Sequence, residues 1–125
     1  MDNGRMLFLG AVFAGLAVAG GAFGAHMLKS TLDAPMLAAF ETGVRYQMYH
    51  ALALCILGGM AERNQPPRVA VVGWLFTIGV VLFSGSLYLL SLTGIRWIGA
   101  LTPLGGAALI GGWALLAWTV ATRRH

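Results

Sequence analysis

The stretch that decides the fold runs from Val69 to Thr93 and reads VAVVGWLFTIGVVLFSGSLYLLSLT, with not one charged side chain. Crossing the hydrocarbon core of a bilayer as an α-helix takes about 20 such residues at roughly 1.5 Å each. Working outward, Met6–Ala25 and Trp97–Thr122 are also uncharged and long enough. The whole chain agrees: of its 125 residues 58% are hydrophobic and only 10% charged, with a mean hydropathy of +0.79. A soluble domain carries about a quarter charged residues to clothe its surface. Here lipid, not water, is the expected solvent, and the expected fold is all-α: an integral membrane four-helix bundle with glycine-rich packing faces.

The fourth span needs argument, because only Tyr46–Ala61 is free of charge. Asp33 is placed to cap a helix whose first turn holds Pro35, where a missing N–H costs nothing. Met36, Leu37, Phe40, Val44, Met48 and Leu52 recur at helical spacing behind it. One long helix over Ala34–Glu62 is therefore expected, amphipathic and interfacial over 34–43 and membrane-spanning over 44–61. Pro66-Pro67 ends that connection, and the third span follows over 69–93. Thr102-Pro103 reads as an N-cap and first-turn proline, so the last span is expected over 103–122, with Trp97 in a short interfacial loop. The rival is a helix from Trp97 kinked at Pro103. The first span is expected over 6–25, too long an apolar run for a cleaved signal.

Eight Lys/Arg against four Asp/Glu give a formal charge of +4. The basic residues stand singly or in pairs at the ends of apolar runs, which argues for phospholipid headgroups and against nucleic acid. Arg5, Arg63, Arg68, Arg123 and Arg124 share one side of a four-span topology; Lys29, Arg45 and Arg96 share the other. The excess places both termini in the cytoplasm. Cys55 is the single cysteine and excludes a disulfide framework within the chain.

Eighteen glycines are about twice the usual share of about 7%, and they crowd into the spans. Gly10, Ala14, Ala17, Gly21 and Gly24 form a stripe along the first span, with Gly20 and Gly24 as a GxxxG pair. Ala107/Gly111 and Ala108/Gly112 repeat the theme in the last. Such stripes let backbones approach closely; isolated residues such as Gly79 read as filler. The partner is either another helix of the chain or, in a homo-oligomer or larger membrane complex, a second protein.

Polar side chains at membrane depth are expensive and are functional candidates for that reason. His26, Gln47, His50, Ser84, Ser86 and Tyr88 are expected to converge on one polar pocket in the outer leaflet, with His50 hydrogen-bonded to Tyr88 or a serine. Ser91 shares the layer. Two imidazoles could ligate a metal or haem, but no HxxxH or carboxylate pattern accompanies them, so no metal or cofactor is expected. Glu41 and Arg45, four apart, suit an interfacial ion pair, or Arg45 a contact to a lipid phosphate. The chain has no GxSxG, Walker A, HExxH or paired membrane aspartates, so no enzyme is expected.

Several segments carry a resemblance: Gly21-Ala-Phe-Gly-Ala-His26 with Lys29, Phe40-Glu-Thr-Gly-Val-Arg-Tyr-Gln-Met-Tyr-His50, Phe83-Ser-Gly-Ser-Leu-Tyr-Leu-Leu90, Thr102-Pro-Leu-Gly-Gly106 and Gly112-Trp113. Together the chain resembles the family called domain of unknown function 423. That resemblance implies four spans and a bacterial inner-membrane setting, and it supplies no activity or catalytic residue. The leading functional expectation is a structural or accessory membrane protein. The alternative is an oligomeric transporter or channel subunit, or a lipid or small-ligand binder, using the layer around His50 and Tyr88.

Overall fold

A computed structural model describes residues 1–60 and 65–123. Four helices account for nearly all of it. α1 runs Asn3–Leu28, α2 Ala34–Gly59, α3 Pro67–Thr93 and α4 Thr102–Ala121, with a 3₁₀ turn over Arg96–Ala100 before α4. The described residues contain no strand. The expected end of α2 at Glu62, the span limit Ala61, and the topology charges Arg63 and Arg124 lie outside the described residues.

Local chemistry sets the ends. Asp2 caps α1, its carboxylate accepting from the Arg5 N–H at 2.8 Å, and Asp33 caps α2 the same way from Met36 at 2.9 Å. α3 starts on Pro67 and stops at Gly94, whose φ of +70° is the left-handed conformation that glycine adopts without a Cβ clash. The last helix begins at Thr102, one residue before the expected Pro103, and Leu101 rather than Thr102 is its N-cap. The Thr102 hydroxyl lies instead 2.6 Å from that of Ser86. α1 is interrupted by a π-helical turn at Gly20–Gly24, a glycine-rich stretch that tolerates the wider winding.

The helices run up, down, up and down. Asn3 at the start of α1 donates to the Met60 carbonyl beyond the end of α2, and Arg68 at the start of α3 reaches Thr122 past the end of α4. α2 and α3 form the central pair; α1 packs on α2 and α4 packs on α3. Burial follows that order: 44% of the most apolar window of α3 is inside the bundle, against 17% for α1 and 22% for the last helix. The stripe on α1 is used within the chain. A Cβ on Gly10 would stand 2.7 Å from the Ala51 carbonyl; Ala17 is buried and Ala14 half-buried; Gly20 and Gly21 face Val44, and Gly24 faces the Phe40 ring.

On α4 the expected pair Ala108/Gly112 reaches the packing face through Gly112, while Ala107/Gly111 does not. Gly105 lies against the backbone of Phe83 and Gly112 against Phe76, whereas a Cβ on Gly111 would meet nothing within 4 Å, and Ala107 is exposed. Gly79 is no filler: Leu109 sits in the space its missing side chain leaves. The apolar core lies in the half nearer the termini, built from Met6, Leu54, Leu57, Val72, Phe76 and Leu109. By length and composition α1, α3 and Arg96–Ala121 are apolar enough to cross a membrane. α2 is as long, 26 residues, but carries Glu41, Arg45, Gln47 and His50.

Candidate functional site

The six candidate residues do not form one pocket; they separate into three bonded groups and a surface histidine. The first group joins three helices. Gln47, on the buried face of α2, accepts the Tyr88 hydroxyl on Oε1 at 2.6 Å and donates from Nε2 to the Phe13 carbonyl of α1 at 2.8 Å. Ser84, one turn before Tyr88 on α3, donates to the Gly43 carbonyl at 2.7 Å. Gly43 admits the tyrosine: a Cβ there would stand 2.8 Å from Tyr88 Cε1. The ring packs against Phe40, with centroids 5.3 Å apart.

The second group is centred on His50. Its Nδ1 lies 2.7 Å from the Tyr46 carbonyl, which can only accept, so Nδ1 carries the proton. Nε2 is then the acceptor for the Trp113 indole N–H of α4, at 2.9 Å. Both nitrogens are occupied, and the ring is boxed by Phe76 at 5.2 Å and Trp113 at 5.9 Å between centroids. Its partner is thus neither Tyr88 nor a serine. Its depth also differs from expectation. Gly43 packs level with Leu87 and Tyr88. Two turns further along an antiparallel helix, His50 is level with the middle of α3, roughly 10 Å deeper at about 1.5 Å per residue. Depth is set by the register of α2 on α3, which the charge pattern alone does not encode.

Ser86 makes the third group, on the flank of α3 that faces α4. It lies 2.6 Å from the Thr102 hydroxyl and donates to the Phe83 carbonyl at 2.9 Å. Ser91 bonds back to the Tyr88 carbonyl at 3.0 Å. His26, in the last turn of α1, is exposed and level with the start of α2, so it cannot share a ligand with His50. Glu41 and Arg45 do not pair: Arg45 donates to Thr42 at 3.3 Å, and both side chains face outward.

Two side grooves flank the central helices. One of about 330 Å³ lies between α1 and α3 above Gln47 and Tyr88, walled by Leu16, Phe40 and Leu92. The other, about 300 Å³, lies between α2 and α4 beside His50, walled by Phe83 and Ile110. Sequence reasoning missed Trp113 and Gly43. Trp113 carried a signal: tryptophans favour the ends of spans, and one in mid-span needs an acceptor for its N–H.

Comparison with known proteins bears on this arrangement. The model of the family described as protein of unknown function (DUF423) matches residues 20–106, from the π turn of α1 to the start of α4. The chain belongs to that family. It is 49% identical over 110 residues to a UPF0382 membrane protein of Staphylococcus saprophyticus, covering 88% of this chain and 91% of the relative. It is 48% identical over 111 residues to the UPF0382 membrane protein YwdK of Bacillus subtilis, covering 88% and 90%. Over 122 residues it is 38% identical to the UPF0382 inner membrane protein YgdD of Escherichia coli, covering 93% and 88%. No solved structure matches the chain. The family's description assigns no activity, and the match spans the bonded residues of α2 and α3 but not their partners Phe13 and Trp113.

Proposed function

We propose that this small integral membrane protein is a non-enzymatic structural or accessory subunit, whose membrane-depth polar residues hold its own helices rather than serve a substrate. One observation carries the reading. Within the described helices every buried polar side chain, Gln47, His50, Ser84, Ser86, Ser91 and Thr119, has a partner in the same chain. The buried acceptor without one, Gln65 Oε1, lies outside the helices. A transport path would line itself with groups left open to water or an ion; these are closed on partners within the chain, mostly backbone carbonyls.

In the same reading α2 makes the fourth crossing. Its polar residues face the bundle from Gln47 onward, and its exposed positions in mid-course are Tyr49, Leu52 and Ile56. Both termini lie in the cytoplasm on the arginine count. Contact with a second copy or a larger complex uses the small outward stripe of α1, Ala11, Gly15, Ala19 and Ala22, which no helix of this chain covers.

The test is gentle solubilisation followed by native mass spectrometry and cross-linking. An oligomer or a recurrent partner, lost on Gly15→Leu, is expected. A strictly monomeric protein with nothing attached overturns the reading. Ligand binding abolished by either His50→Ala or Tyr88→Phe would favour the transporter or ligand-binding alternative instead.

A further inference from the structure

At the end of the bundle that holds both termini, α2, α3 and α4 diverge and leave a groove of about 210 Å³. Leu57, Val69 and Leu116 form its apolar interior, and Ile56 and Val120, each 64% exposed, open it sideways to the membrane. Gln65 braces the floor, donating from Nε2 to the Met60 carbonyl at 2.8 Å and the Leu57 carbonyl at 3.3 Å. At the mouth stands Arg123, about two turns beyond Leu116. The same end of the bundle carries Arg68, held 4.2 Å over the Trp118 ring, and Arg5, which pairs with Asp2 at 3.6 Å, both outside the groove's lining.

A positive rim at headgroup depth above an apolar slot that opens to the hydrocarbon is complementary to one class of amphiphile. We propose that this groove binds an anionic phospholipid of the leaflet on the side of the termini, its phosphate against Arg123 at the mouth and one acyl chain against Leu116 and Val69. The two other side grooves lack this complementarity, having no charged residue at their walls. The proposal assigns the chain a lipid preference, which the scaffold reading by itself does not require.

The experiment is native mass spectrometry of the full chain released from nanodiscs containing equal phosphatidylglycerol and phosphatidylethanolamine with identical acyl chains. Phosphatidylglycerol is expected to be retained preferentially, by about fivefold for each arginine that engages it. Arg123→Gln should cut the preference by about that factor. Leu116→Trp, which fills the slot, should remove it with helix content by circular dichroism unchanged. Equal retention of the two lipids by the unaltered protein overturns the proposal. So does a preference that Arg123→Gln leaves undiminished, a variant outside the packed core that decides the matter even if Leu116→Trp does not fold. A preference that Leu116→Trp leaves intact in folded protein overturns the groove as its location.

Discussion

The two halves of the bundle are joined by different forces. Nearer the termini, Met6, Leu54, Phe76 and Leu109 interlock as a solid apolar core, and α4 closes on α3 through Gly112. In the other half the seam between α2 and α3 is bridged by side-chain hydrogen bonds from Ser84 to Gly43 and from Tyr88 to Gln47. His50 marks the border, with its ring in the aromatic box of Phe76 and Trp113 and its nitrogens in hydrogen bonds. In lipid, apolar contact brings no gain from excluding water, so shape fit and dispersion must hold the first half. Polar groups hold the second because they have no better partner in hydrocarbon. The contrast implies that shape changes should damage the first half more than bond deletions damage the second.

Four substitutions can break or sharpen that contrast, each read as an unfolding free energy in detergent micelles. Phe76→Ala empties the best-buried large site and should cost about 3 kcal/mol; a loss under about 1 kcal/mol would show that the apolar half is loosely packed. Gly112→Ala drives a methyl into the Phe76 ring, which is itself packed in the core, and should cost about 2 kcal/mol. Tyr88→Phe deletes one membrane hydrogen bond while keeping the ring, and about 0.6 kcal/mol is expected; a larger loss than Phe76→Ala would invert the comparison. Gly111→Ala, with open space around it, should be neutral or stabilise by up to about 1 kcal/mol through helix propensity.

Much of the fold was legible because its signals are local. Asp33 caps α2 where a capping residue was expected, and Gly10 of the first span lies against the Ala51 carbonyl of α2. The candidate site was legible in composition and not in arrangement. Gln47, Ser84 and Tyr88 meet, but His50 turns to another flank and a deeper level. Ser86 faces α4, and His26 stays at the surface. The error over Gly79 has the same origin. Whether a glycine is filler or a socket depends on whether a residue such as Leu109 arrives opposite it, and nothing near Gly79 in the chain announces that.

By itself the sequence determined the solvent, the helices and most of their ends, since hydropathy and capping act over a few neighbouring residues. Only the tertiary structure decided which small-residue face each helix uses, how deep His50 lies and that Trp113 is its partner. Those outcomes depend on the register between helices distant in sequence. That register is a joint property of all the side chains in the interface, and no local segment encodes it.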